Sequence, residues 1–362
     1  MLLKLILIYL LSIISSVLYA AEVSHQSLAI IVNVNDKNSL ELARYYQQAR
    51  SIPEQNIIYI SLDATKNSIS AADFLPVYRQ VKKASSHNIQ AYALAWSKPF
   101  RVGCMSITSA FALGYNKKYC AIGCKTTSSI PYYNSKSRQP FNDYKIRPSI
   151  MLAGSNLSTS KKTIDQGIKA DYKHSKGTAY LLSTFDKERN VRAVFYPKIL
   201  KNLSSLLNIK ILKQDKIKNK KDVMFYFTGL KHVKEINSNH FIAGAVADHL
   251  TSTGGVLFGG KQMSILRWLD AGATASYGTV VEPCNFLSKF PNPGILMSHY
   301  LNGETLLEAY WKSVLMPGQG VFVGEPLASP YKGCRIKISP RGIASFIQMP
   351  INNYVMRSSR RC

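Results

Sequence analysis

The sequence predicts an α/β protein with a mostly parallel sheet flanked by helices, and three observations support this fold class. Apolar, β-branched runs alternate with segments of helical period along most of the 362 residues. The first such segments, 28–36, 38–49 and 56–62, predict a β-α-β unit, which implies a parallel strand pair with a right-handed crossover. Hydrophobic residues make up 46% of the chain and charged residues 18%, a balance typical of folded globular proteins.

The individual elements follow from capping and breaking residues along this pattern. Asn38 is predicted to cap the first helix, and Pro53 to end it before the second strand. Gly272 is predicted to close a later helix in the left-handed conformation. Further strands are predicted at 89–97, 177–185, 222–229, 241–246, 273–281 and 320–327, and further helices at about 71–84, 263–269 and 306–314. Segments 222–229 and 241–246 are expected to be neighbouring parallel strands, because little chain separates them.

The chain divides into five parts by composition. They are a signal peptide (1–20), an N-terminal β-α-β part (21–97), a cysteine-containing insertion (98–176), a C-terminal α/β part with the candidate site (177–331) and a basic tail (332–362). The insertion has little periodicity, and we expect it to lie outside the sheet, held by a disulfide. The tail contains no acidic residue, and we expect it to be disordered or foreign to the domain.

Residues 1–20 predict export of the chain. They hold one Lys and a continuous apolar run, followed by small residues at Ala20 and Ala21. This pattern is typical of a signal peptide cleaved near Ala20, and a membrane anchor is the alternative. No later segment is apolar for long enough to span a bilayer. We therefore expect a periplasmic or secreted protein with no stable membrane insertion after cleavage.

The net charge of +26 raises the question of an anionic partner. Eight Lys lie between Lys198 and Lys221, against the single acid Asp215. Nucleic acid is not expected, because the chain is predicted to be exported and has no groove-binding motif. A solvated basic face is one interpretation, and binding to an anionic envelope component is the other. The sequence indicates no cofactor and specifies no other partner.

Six cysteines in an exported chain permit disulfides. Cys104, Cys120 and Cys124 cluster in the insertion, and we expect Cys120 and Cys124 to pair with each other or with Cys104. Because three is an odd number, one thiol is either free or bonded to another segment. A metal site is less favoured, since no His lies between His87 and His174 to complete the ligand set.

Polar residues follow three of the predicted strands, where ligands bind in open α/β sheets. The candidate catalytic residues are Asp248, His249, Ser252 and Glu282, and the candidate ligand contacts are Thr228, Gly229, Thr251 and Gly254. We expect these residues to line one concave site. The alternative is that Asp248 and Thr251 cap local turns and that His249 is a hydrogen-bonded structural residue. The nucleophile-elbow and phosphate-loop motifs are absent from the sequence.

Several long motifs carry a resemblance to known proteins. LARYYQQARSIPEQNI, DVMFYFTG, GAVADHLTSTGG, LRWLDAGATASYGTVVEPCNF and GETLLEAYWKSV resemble, in this order, a family of exported bacterial proteins of unknown function, over residues 28–331. The last third also resembles, more weakly, the gingipain and caspase type of cysteine peptidase. In that type, one strand ends in the catalytic His and the next in the nucleophilic Cys. Here Thr228 stands at the His position, and no Cys lies between Cys124 and Cys284.

The resemblance therefore implies a peptidase-like scaffold without thiol peptidase activity, because the Cys–His dyad is missing. Two classes of function remain. The favoured one is an exported protein that binds a ligand or an envelope component in this cleft. The alternative is a hydrolase that uses Ser252 or Thr251 with His249 and Glu282, or a water molecule activated by Asp248.

Overall fold

The computed structural model describes residues 22–121, 123–339, 343–349 and 362. The strands are β1 (Leu28–Asn33), β2 (Ile57–Ile60), β3 (Ser68–Ile69), β4 (Ala91–Leu94), β5 (Arg101–Val102), β6 (Met105–Ser106), β7 (Ser149–Met151), β8 (Thr178–Ser183), β9 (Asn208–Lys213), β10 (Val223–Thr228), β11 (Phe241–His249), β12 (Ala275–Thr279), β13 (Gly320–Gly324), β14 (Cys334–Ile338) and β15 (Ala344–Gln348). The helices are α1 (Lys37–Arg50), α2 (Ala71–Ala84), α3 (Ile107–Leu113), α4 (Pro140–Tyr144), α5 (Leu157–Ala170), α6 (Tyr196–Leu203), α7 (Leu266–Asp270), α8 (Pro293–Leu301) and α9 (Leu306–Ser313).

Ten strands form one central sheet in the order β2-β1-β4-β7-β13-β12-β11-β10-β8-β9. The pairs within β2-β1-β4-β7 and within β12-β11-β10-β8-β9 are parallel. Strand β13 joins these two groups: it runs antiparallel to β12 and meets β7 through the single pair Val323 and Met151. The predicted α/β class with a mostly parallel sheet is confirmed.

Apolar side chains cover both faces of the sheet. Leu42 of α1, Ile164 of α5 and Leu296 of α8 belong to the hydrophobic core on one face. Phe74 of α2 and Trp268 of α7 belong to the core on the other. Because successive side chains of a strand point to opposite faces, a strand buried on both sides is apolar throughout. All six residues of β1 and of β10 are accordingly buried.

The predicted pairing of segments 222–229 and 241–246 is confirmed. Strand β10 lies beside β11 in parallel, and Thr228 is opposite His249 at their carboxyl ends. One expectation about the insertion is wrong. The segment 98–176 is not wholly outside the sheet, because β7 pairs with β4 inside it. A strand of three residues, Ser149–Met151, is too short to give a visible alternation in the sequence.

The described residues of the basic tail, 332–339, 343–349 and 362, include regular structure, and the expected disorder of the tail as a whole stays a prediction. Strands β14 and β15 form an antiparallel hairpin, and the ring of Phe346 stacks on Tyr331 at 6.0 Å. Cys334 forms a disulfide with Cys362. The predicted signal peptide, with its cleavage near Ala20, lies outside the described residues. Within the described ranges, no helix is long and apolar enough to cross a membrane.

All six cysteines are in disulfides. Cys104 pairs with Cys120, which is one of the pairings that the sequence predicted. Cys124 reaches another segment and bonds Cys284, 160 residues away in sequence. The sequence left this partner open, since proximity along the chain does not show which distant segment packs against the insertion.

Candidate functional site

His249 is held by two hydrogen bonds within the protein. Its Nδ1 accepts from Trp268 Nε1 at 2.9 Å, and its Nε2 lies 3.0 Å from the carbonyl oxygen of Met263, to which it donates. The ring is 1% exposed, and this burial lowers the pKa of His249 to about 3. The imidazole is therefore neutral, and both nitrogens are occupied, which does not favour a role as general base.

Asp248 faces a buried arginine. Its Oδ1 lies 2.5 Å from Arg192 Nη2, and the two side chains are at most 2% exposed. Burial raises the pKa of Asp248, while the positive charge of Arg192 opposes this change. Arg192 Nη2 also donates to the carbonyl oxygen of Thr228 at 2.9 Å, so this pair ties β11 to the end of β10.

The predicted ligand contacts are largely covered by the chain itself. A Cβ at Gly229 would lie 1.8 Å from the carbonyl oxygen of Arg189, which shows how closely the segment after β8 packs there. Thr251 Oγ1 donates to Gln262 Oε1 at 2.8 Å and accepts from Arg189 Nε at 3.2 Å. A Cβ at Gly254 would lie 3.2 Å from Thr251 Cγ2 and 3.4 Å from Cε1 of His249, so Gly254 packs beside the His249 ring. The hydroxyl of Thr228 is buried.

Ser252 and Glu282 are nearer to solvent. Ser252 is half-buried, and its carbonyl oxygen accepts from Thr279 Oγ1 at 2.8 Å. Glu282 is exposed, and its Oε1 accepts from the backbone N–H of Cys284 at 2.8 Å. Among the described residues, no hydrogen bond joins His249 to Ser252 or to Glu282. The structure thus gathers the predicted residues at one end of the sheet without linking them as a catalytic set.

The sheet has a topological switch point at the carboxyl ends of β1 and β4. The chain leaves β1 towards β2, on one side, and leaves β4 towards β7, on the other. Loops that diverge in this way leave a crevice at the carboxyl ends of the two strands, and ligands of open α/β sheets bind there. A crevice of about 220 Å³ is present at this position.

Three strand ends supply the walls of this switch-point crevice. Asp36 follows β1, Trp96, Ser97 and Lys98 follow β4, and Gly154 follows β7. Ser97 Oγ donates to the Gly154 carbonyl oxygen at 3.2 Å, which joins the last two walls. Asp36 and Lys98 give the crevice one acidic and one basic side chain.

A loop after β11 completes the crevice. Phe258 is one of the residues that line it, with Lys98 Nζ 4.9 Å from the centre of the phenyl ring. Asn67 Nδ2 donates to the Phe258 carbonyl oxygen at 3.4 Å. Phe258, which follows the motif GAVADHLTSTGG in sequence, therefore lines this crevice, although β11 lies four positions away from β4 in the sheet.

The residues of this crevice were not among the sequence predictions. The first β-α-β unit is the signal that could have indicated them. The strand that comes after this unit must add either beside β2 or beside β1. If it adds beside β1, the connections from β1 and from the new strand leave in opposite directions, which creates a switch point between the two strands. Asp36 was visible in the sequence, where it directly precedes the first helix; in the structure it caps α1, its Oδ1 accepting from Asn38 N at 2.9 Å.

One group of potential metal donors occurs in the described ranges, formed by His174, Cys334 and Cys362. The two sulfur atoms are joined in a disulfide. A disulfide sulfur lacks the thiolate charge that zinc and copper require, so this group does not indicate a metal centre.

Comparison with known proteins adds no assignment. No protein-family model, no curated protein and no solved structure matches this chain.

Replacement of His249 by Ala is expected to lower the free energy of unfolding by about 1–3 kcal/mol, because Trp268 Nε1 and the Met263 carbonyl lose their partner. The difference from the wild type should shrink as pH falls from about 6.5 to about 3. In this range the unfolded His249 binds a proton and the folded one does not, so acid destabilises only the wild type. Urea unfolding at several pH values measures both effects. An unchanged stability at neutral pH would contradict the structural role.

Proposed function

We propose that the protein is an exported binding protein that holds a small zwitterionic ligand, of the amino-acid or short-peptide class, in the switch-point crevice. The observation that carries this proposal is the presence of both Asp36 and Lys98 among the residues that line the crevice at the carboxyl ends of β1 and β4. A carboxylate and an ammonium group in one cavity suit a ligand with charges of both signs. The apolar surfaces of Leu42, Trp96 and Phe258 suit its side chain.

The absence of thiol peptidase activity is part of the same proposal. A thiol peptidase needs a free thiolate, and each of the six cysteines is bonded to another. The disulfides also support export, since such bonds persist in oxidising compartments. The likeness to gingipain and caspase scaffolds, and the family of exported bacterial proteins, stay predictions. The alternative hydrolase is less well supported, because the nitrogens of His249 are both in use.

Isothermal titration calorimetry of the purified protein, with free leucine and with the dipeptide alanyl-alanine as ligands, tests this function. Two variants remove one charge each and keep the local structure. Asp36→Asn leaves an equally good helix cap, and Lys98→Met keeps the aliphatic stem beside Phe258. Each is expected to weaken binding by about tenfold or more, because a hydrogen bond to a charged group is lost.

Lys83→Met is the matched control, since Lys83 is exposed at the end of α2 and lies outside the crevice. It should bind the probes as the wild type does. If neither probe binds, or if both crevice variants bind normally, the proposal is wrong. A response to inorganic phosphate or citrate alone would show that the ligand is an anion instead.

A further inference from the structure

The carboxyl ends of β8 and β9 carry exposed apolar and basic side chains together. Phe185 is 65% exposed and Val194 is 67% exposed, unusually large fractions for such side chains. Lys187 follows Phe185 by two residues, Lys198 lies in the first turn of α6 and Lys213 ends β9, and all three are exposed. We call these five residues the basic apolar patch.

Hydrogen bonds fix the backbone that presents this patch. Phe185 N donates to Asp215 Oδ1 at 2.9 Å, which holds the segment after β8 to the segment after β9. Thr184 N donates to Asn190 Oδ1 at 2.9 Å, which closes the loop before α6. In the register of the two strands, Lys213 is opposite Ser183, so both strands end at the same level. The exposed side chains thus stand on an ordered support.

Both acidic and basic side chains lie near the patch, but its three lysines form no ion pair among the described residues. Asp186 pairs with Arg189 at 3.0 Å, and Lys216 pairs with Glu235 at 3.4 Å. In the described part of the chain, no ion pair involves Lys187, Lys198 or Lys213. Glu188 is the exposed acid of the region, and its carboxylate lies 3.9 Å from Arg189.

Apolar residues surrounded by lysines match a surface that is anionic outside and apolar below. We propose that the basic apolar patch docks onto the surface of a bilayer that contains anionic phospholipids. Each lysine near such a surface strengthens binding by a factor of about five, and the aromatic ring enters the headgroup boundary. An acidic peptide strand fits less well, since lysines on the end strand β9 oppose the addition of another strand.

The inference goes beyond the proposed ligand site and does not depend on it. Strand β13 pairs in parallel with β7 and antiparallel with β12, so the carboxyl ends of β4 and β7 and those of β8 and β9 lie at opposite edges of the sheet. The loop after β11 reaches the crevice at the carboxyl ends of β4 and β7 through Phe258, and the patch lies at the carboxyl ends of β8 and β9.

Sedimentation with vesicles tests the docking. The probes are vesicles of phosphatidylcholine alone and of phosphatidylcholine with phosphatidylglycerol. We expect binding only to the second kind, and its loss at high salt, because counterions screen the lysines. The variant Lys187→Gln/Lys213→Gln should bind roughly twentyfold more weakly, and Phe185→Ser about tenfold more weakly.

Lys82→Gln/Lys83→Gln is the matched control, because it removes the same charge from the exposed end of α2. It should bind nearly as the wild type does. Equal losses in the two double variants would mean that net charge alone drives binding, and would overturn the docking surface. Binding to poly-glutamate without binding to vesicles would show an acidic polypeptide partner instead. Melting temperatures should be unchanged in every variant, since all of these side chains are exposed.

Discussion

Asp248→Asn is expected to lower the free energy of unfolding by about 3–5 kcal/mol, the usual cost of leaving a buried charge without its partner. The substitution preserves the shape of the side chain and removes its negative charge. Arg192, which contacts the end of β10, then remains buried with no carboxylate to compensate its charge. The midpoint of urea unfolding measures the change.

Two further variants separate the ion pair from other effects of the substitution. Glu188→Gln removes an acid that is 80% exposed, and it should change stability by less than about 0.5 kcal/mol. The double variant Arg192→Met/Asp248→Leu removes both buried charges, and it should recover most of the loss. Normal stability of Asp248→Asn would reopen a chemical role for this carboxylate.

Glu325→Gln is expected to cost about 3 kcal/mol of stability, because Glu325 is the centre of a second buried network. Its Oε1 and Oε2 accept from Arg50 Nε at 3.0 Å and from Arg50 Nη2 at 2.6 Å. Tyr46 OH donates to Oε1 at 2.6 Å, and burial raises the pKa of this tyrosine. The network joins the end of α1 to the residue that follows β13.

Asp171→Asn is the comparison for this network. Asp171 also contacts Arg50, but its side chain is 21% exposed, against 0% for Glu325. Solvent screens the partly exposed charge, so we expect a loss of about 1 kcal/mol or less. Thermal unfolding of the two variants side by side gives the ranking, and a larger loss for Asp171→Asn would show that burial does not set the contribution.

The sequence was sufficient to predict the fold class and the long strands. Apolar runs such as β1 and β10 are buried on both faces, so each forms an unbroken signal. Their pairing followed where little chain lies between strands, as for β10 and β11. The short strand β7 gave no such signal, and its place depends on contacts with distant segments.

The candidate site was predicted less well for a physical reason. The polar residues after β11 do lie at a carboxyl edge, but tertiary contacts decide whether they face a ligand or the core. Trp268 satisfies His249, and Arg192 compensates Asp248, yet neither partner is adjacent in sequence. The crevice depends on the order of the strands, which local periodicity does not contain.

The position of β13 in the sequence determines when the central sheet can be completed during synthesis. This strand lies between β7 and β12, yet residues 320–324 follow the other nine strands of the central sheet in sequence, so the middle of this sheet is synthesised last. Until then, no strand connects the group β2-β1-β4-β7 to the group β12-β11-β10-β8-β9. A nascent chain that stops short of residue 320 would expose open edges at β7 and β12, which invite pairing with other chains. Assembly of the central sheet must therefore await the synthesis of residue 324, an order of events that suits a protein proposed to cross a membrane before it folds.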